Sequence, residues 1–142
     1  MNAMLCLALT LAAPGLKEKT VRPVLEGEWQ AEARTYDGRP APYDPPTVRY
    51  VFGPGGEWVM YLEGKPIDEE KRSFEVIKDA RPAGINLTIG AGAGGPTFRG
   101  IYKLEGDTLT ICMRHGAEER PTEFKSEEGS RAYLYVFRRV KK

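Results

Sequence analysis

The sequence predicts an all-β fold, with eight antiparallel strands in up-and-down order closing into a barrel. Three observations lead there. Eight segments rich in β-branched and aromatic residues recur at spacings of about 8 to 15 residues. The joints between them draw on sixteen glycines and eleven prolines, residues that turns favour for their backbone angles. No segment sustains the periodicity of an amphipathic helix, and "PIDEEKR" would make one turn at most. An even meander leaves two unpaired sheet edges, and closure removes both.

The first strand is "GEWQAEARTY". Its alternation places Trp29, Ala31 and Ala33 on one face and Glu28, Gln30, Glu32 and Arg34 on the other. "DGRPAPYDPP" follows as loop, because its prolines supply no ladder donors. "TVRYVF" and "EWVMYLE" are joined by Gly53-Pro54-Gly55-Gly56, a hairpin pattern. "SFEVIKD" and "INLTI" form the next pair, linked by residues 80–84. "TFRGIYKLE" and "DTLTICMR" meet at Gly106, where a tight turn needs a positive φ. The last strand is "RAYLYVFRR"; both of its faces are apolar, so its inward set is not assigned by pattern.

A chain of 142 residues fits one domain, and 41% hydrophobic content is enough for a core. Lys plus Arg number 21 and Asp plus Glu 20, a formal net charge of +1. That balance supplies no electrostatic drive towards nucleic acid. The one basic cluster, Arg138-Arg139 with Lys141-Lys142, reads as a strand end and a solvated terminus. "MLCLALTLAA" followed by Pro14-Gly15 is shorter than the roughly 20 residues that span a bilayer. It matches the apolar core of a secretory signal with small residues near its end. The expected organisation is a leader over residues 1–15, a short tether over 16–24 and the barrel over 25–142, in an extracytoplasmic protein without an integral membrane span. Removal of the leader takes Cys6 with it. Cys112 is then the one cysteine, which excludes an internal disulfide.

"LEGEW" at Leu25 to Trp29 resembles the Gly-x-Trp opening of lipocalin-like barrels. The wider set "GIYKLEGDTLTICM", "ERPTEF" and "GS" resembles a family of small exported lipocalin-like domains abundant in planctomycete bacteria, without an assigned activity. The resemblance runs from about Leu25 to Arg139. It implies an eight-stranded antiparallel lipocalin-like barrel outside the cytoplasm and supplies no substrate. In lipocalins the first-strand tryptophan packs at the closed barrel end beneath an arginine of the last strand. The resemblance puts Trp29 there, under Arg138 or Arg139.

Chemical motifs are few. His115 is the one histidine, so a multi-histidine zinc site is excluded; as a general base it would lack an evident nucleophile. "IGAGAGGP" has neither the Gly-Lys-Ser/Thr nor the strand-to-helix setting of a phosphate loop. Asp68-Glu69-Glu70 and Glu118-Glu119 lack the alternating ligands of a calcium loop. No metal, cofactor or catalytic residue is assigned.

The barrel interior is the better candidate site. Tyr50, Phe52, Trp58 and Met60 share a side across one hairpin, and Leu109, Ile111 and Met113 share a side of a later strand. Such residues either wall a small-ligand cavity or fill the barrel. "ERPTEFKSEEGS" between the last two strands has one large apolar residue, Phe124, and reads as a flap closing a barrel end, with Arg120 and Glu123 tying it down. A binding lip and a catalytic loop are the alternatives. The leading expectation is a non-enzymatic module that binds a small apolar or amphipathic molecule in the barrel. The second is a filled barrel that recognises protein or cell-envelope surfaces. The third is an enzyme using His115.

Export is directly testable. N-terminal sequencing of the exported protein should find a start between Ala13 and Leu16, whereas an intact Met1 would overturn the leader assignment.

Overall fold

The computed structural model describes residues 25–40, 47–67, 72–89, 97–116 and 119–141. The expected leader and tether lie outside the described residues. The fold is an all-antiparallel sheet curled into a half-barrel, with almost no helix. In chain order the strands are β1 (Gly27–Tyr36), β2 (Arg39–Pro40), β3 (Val48–Phe52), β4 (Trp58–Leu62), β5 (Lys65–Pro66), β6 (Arg72–Ile77), β7 (Gly84–Ile89), β8 (Thr97–Glu105), β9 (Thr108–His115) and β10 (Tyr133–Arg139). The eight longer strands fall on the eight segments expected from the sequence. Two-residue strands β2 and β5 are additions: Asp37 and Gly38 both take left-handed backbone angles (φ 51° and 82°) and fold the start of the presumed loop back onto β1.

The hydrogen-bonded path is β5-β4-β3-β1-β10-β9-β8-β7-β6, with β2 beside β1. Among the eight longer strands, neighbours in the path are neighbours in sequence except at one place, where β1 pairs with β10. That pairing bends the meander round on itself. Its two long edges, β4 and β6, then approach each other. Among the described residues they meet at one bridge, Glu57 to Ser73, with Phe74 N donating to Gly56 O at 2.8 Å.

Alternation sorts the side chains into two faces, as a pleated strand requires. Inward are Val48, Tyr50 and Phe52 of β3, Trp58 and Met60 of β4, Ile85 and Leu87 of β7, and Leu109, Ile111 and Met113 of β9. In β10 the inward set is Tyr133, Tyr135 and Phe137. Strand β1 departs from the simple pattern. Its register against β10 shifts between Ala31 and Ala33, a bulge at Glu32. An extra residue reverses the alternation beyond it. Ala33, expected inside, is exposed; Arg34, expected outside, is buried.

One end of the half-barrel is sealed around Trp29. Its indole Nε1 donates to Leu25 O at 2.9 Å, and the Arg139 guanidinium lies 4.2 Å from its ring centroid. Arg139 also donates to Glu26 O at 3.3 Å, and its backbone N donates to Asp107 O at 2.8 Å in the β8–β9 turn. Gly27 precedes the tryptophan at φ 122°, where a side chain would be strained.

Trp29→Ala should cost about 3–5 kcal/mol, as for other buried large aromatics. Arg139→Ala should cost about 0.5–2 kcal/mol through the lost cation–π contact. Arg138→Ala should leave the midpoint of denaturant unfolding where it was. Equal effects at the two arginines would overturn the assignment of Arg139 to the indole.

Candidate functional site

All seven residues expected to line the interior belong to one buried cluster on the inner face: Tyr50, Phe52, Trp58, Met60, Leu109, Ile111 and Met113. Their rings touch. Tyr50 is the hub, with centroid separations of 4.9 Å to Trp58, 4.8 Å to Phe137 and 5.5 Å to Tyr135. Phe52 meets Phe74 edge-on at 4.9 Å. Such tilted and edge-on pairs suit the ring quadrupoles. Each strand contributes through its period-two face, so the β3–β4 hairpin and β9 deliver their sets opposite one another.

Burial is not even along the inner face. Near Trp29 the indole, Leu25, Phe52, Leu109 and Phe137 are enclosed, while Val76, Tyr102 and Leu104 at the same end are only partly buried. At the other end lie the last residues of β4 and β7 and the first of β8 and β10. There Leu62, Ile89, Phe98 and Tyr133 pack on the core yet are only partly buried. They form an apolar rim.

Two arginines on this inner face have no counterpart among the residues expected from the sequence. Arg34 and Arg72 are each only 8% exposed. Arg34 lies 5.0 Å from the Tyr135 ring centroid and Arg72 lies 4.9 Å from that of Trp58. Burial pushes the Tyr50 hydroxyl well above its ordinary pKa, and the neighbouring Tyr135 adds to this. The positive charges of Arg34 and Arg72 pull in the opposite direction, so both act on the same phenol. The signal for Arg72 was within reach, since it continues the alternation of Phe74 and Val76. The signal for Arg34 was not, because the bulge hid it.

The residues expected to close the barrel separate into two places. Trp29 and Arg139 meet at the sealed end. Arg138 points outward and pairs with Glu32 at 2.7 Å on the exposed surface. Phe124 corrects the end-flap expectation: it packs with Ile101, Cys112, Ala132 and Leu134 on the outer face of β8, β9 and β10. The segment 119–132 is therefore a strap across the back of the sheet. Ile101, Cys112 and Leu134 are the outward apolar residues of three adjacent strands, and Phe124 is the nearest residue able to cover them. Arg120 anchors the strap by donating to Gly100 O at 2.9 Å and to Ile85 O at 3.4 Å. Glu123 pairs instead with Lys125 at 3.1 Å in the open. At its exit the strap clasps the β1–β2 turn: Arg131 N donates to Asp37 Oδ1 at 2.7 Å, and Gly38 N donates to Ser126 Oγ at 3.1 Å.

His115 ends β9, exposed, its ring edge-on to Phe98 at 5.6 Å. Cys112 lies under the strap, its thiol donating to Lys125 O at 3.3 Å, and burial pushes its pKa up. The two residues thus face opposite sides of the sheet. Among the described residues no three His, Cys, Asp or Glu side chains group as a metal site. No described helix is long and apolar enough to cross a membrane. A cleft of about 490 Å³ opens near the sealed end, between Gly53–Gly56, Phe74–Val76, Lys78, Leu25 and Tyr102. It is lined by none of the seven interior residues.

Phe124→Ala should remove about 2 kcal/mol of stability, less than a fully buried phenylalanine because the residue is only partly buried. It should also speed labelling of Cys112 by a thiol reagent under native conditions. Unchanged labelling would show that Phe124 does not hold the strap over the thiol.

Comparison of the chain with family models, with curated proteins and with solved structures finds no match.

Proposed function

We propose that the protein is an extracytoplasmic, lipocalin-like binding module that takes one small apolar or amphipathic molecule on the inner face of its curled sheet. The observation that carries this reading is the set of apolar side chains that pack on the enclosed aromatic core of that face without being enclosed themselves. Leu25 and Arg139 cover Trp29, and the aromatic surface continues to half-buried apolar side chains that include Leu62, Ile89, Phe98 and Tyr133. A concave, mostly apolar surface with a few polar groups is the usual form of a small-molecule site. The resemblance of "LEGEW" and "GIYKLEGDTLTICM" to exported lipocalin-like domains supports the same reading. The resemblance leaves the ligand open, and so does the absence of a metal-ligating group among the described residues.

A second reading has its own observation. The rings of Tyr50, Phe52, Trp58 and Phe137 are in mutual contact and buried. If the same packing continues to the rim, the interior is filled, and the module recognises protein or cell-envelope surfaces from its outside.

One experiment separates the two. Protein purified from its own host, examined by native mass spectrometry, should retain one small molecule per chain. Ile89→Trp, which adds bulk at the rim, should reduce that occupancy while leaving the unfolding midpoint within about 1 kcal/mol, the cost of a tolerated partly exposed substitution. A chain that carries no molecule, and that takes up no fluorescent fatty-acid-like probe, would sink the binding reading in favour of the filled barrel.

A further inference from the structure

We infer that the molecule bound on the inner face carries an acidic head group, held by Arg34 and Arg72, with its apolar body against the aromatic rings beside them. This inference rests on the binding reading above and names the ligand class. Its first support is position. Both guanidinium groups are on the inward side of a sheet whose other inward residues are overwhelmingly apolar, and both are 8% exposed. Arg72 opens β6 at the rim end, paired in register with Ile89; Arg34 sits towards the rim end of β1, paired with Tyr135. They come from opposite arms of the sheet path, yet both act on the Tyr50 hydroxyl.

Energetics give the second support. Burying a charge costs several kcal/mol, and a well-packed apolar residue of similar size often serves stability as well or better. Two like charges near one point add mutual repulsion. The aromatic contacts at Tyr135 and Trp58 offset part of this. An anion between the two arginines removes their repulsion, and its attraction to both is stronger where the dielectric is low, against its own desolvation cost. Guanidinium is the cation suited to this role: its planar donors match a carboxylate, sulfate or phosphate oxygen pair.

The third support is the bulge. Without the extra residue at Glu32, Arg34 would point to solvent and Ala33 would point inward. Bulges that re-aim a side chain are over-represented beside active sites. Here the re-aimed side chain is an arginine, and the second arginine is also inward. Both arginines make further contacts, so an acidic ligand enters by exchange. Preference for acid over ester, not bare affinity, is the signature.

The test compares dansyl-undecanoic acid with its methyl ester on the full-length protein, followed by probe fluorescence. The acid should bind at least about ten-fold more tightly, the factor expected when hydrogen bonds to a charged group are lost. Arg34→Gln and Arg72→Gln should each weaken the acid by about ten-fold and leave the ester within about two-fold. Equal binding of acid and ester by the unaltered protein would overturn the head-group inference and leave the binding reading standing. Acid preference that survives both substitutions would also overturn it, by placing the anion elsewhere. Binding of neither probe would remove the binding reading itself. If a glutamine variant fails to fold, the acid–ester comparison on the unaltered protein still decides.

Discussion

The guanidinium of Arg139 over the indole of Trp29 ties the last strand to the first, and the remaining architecture depends on that tie. Every other pairing between the longer strands joins neighbours close in sequence, which local connections can set. The β1–β10 ladder closes a contact across more than a hundred residues, so it is the costly step in chain entropy. Its partners therefore have reason to be unusually well specified. Trp29 and Arg139 are register partners as well as stacked side chains. The same arginine reaches Glu26 O, and its backbone reaches the β8–β9 turn at Asp107. Three segments distant in sequence thus converge on one indole, and a slip by one residue would put the arginine on the outer face. Arg138 shows that alternative in place: next in sequence, on the opposite face, it makes an exposed ion pair of the kind that contributes little.

Alternation made most of the inner face legible. A strand whose pleat is intact places residues two apart together, and β3, β4 and β9 obey this, so Tyr50, Phe52, Trp58, Met60, Leu109, Ile111 and Met113 could be grouped before any coordinates. Strand β10 resisted because Leu134 and Val136 are apolar too. For Leu134 the reason is the strap, a long-range neighbour that pattern alone does not reveal. Strand β1 misled because a bulge leaves no composition signature: Glu32 is an ordinary strand residue, and the register shift shows only against β10. Phe124 was legible as an anchor, since it is the one large apolar residue of its loop. Which surface it anchors to was not, because that depends on apolar residues of three other segments meeting on the outer face.

The outer strap and the inner arginines are related by a physical constraint on thin sheets. A single curled sheet has one concave core, and polar groups placed there subtract from it. The strap adds a second apolar cluster on the convex side, at Ile101, Cys112, Ala132, Phe124 and Leu134. It also fastens itself to the β1–β2 turn through Asp37 and Gly38, just beyond the bulge that turns Arg34 inward. A side chain at Gly38 would meet the Glu128 backbone N at 2.6 Å, so turn and strap are in close contact. Strand β1 beyond its bulge is therefore held from outside, by hydrogen bonds from backbone N–H groups to the side chains of Asp37 and Ser126. The inner end of the same strand can then carry a charged side chain without loosening the ladder that supports it. Stability is thus drawn from the contacts around Trp29 and from the back of the sheet as well as from the inner core.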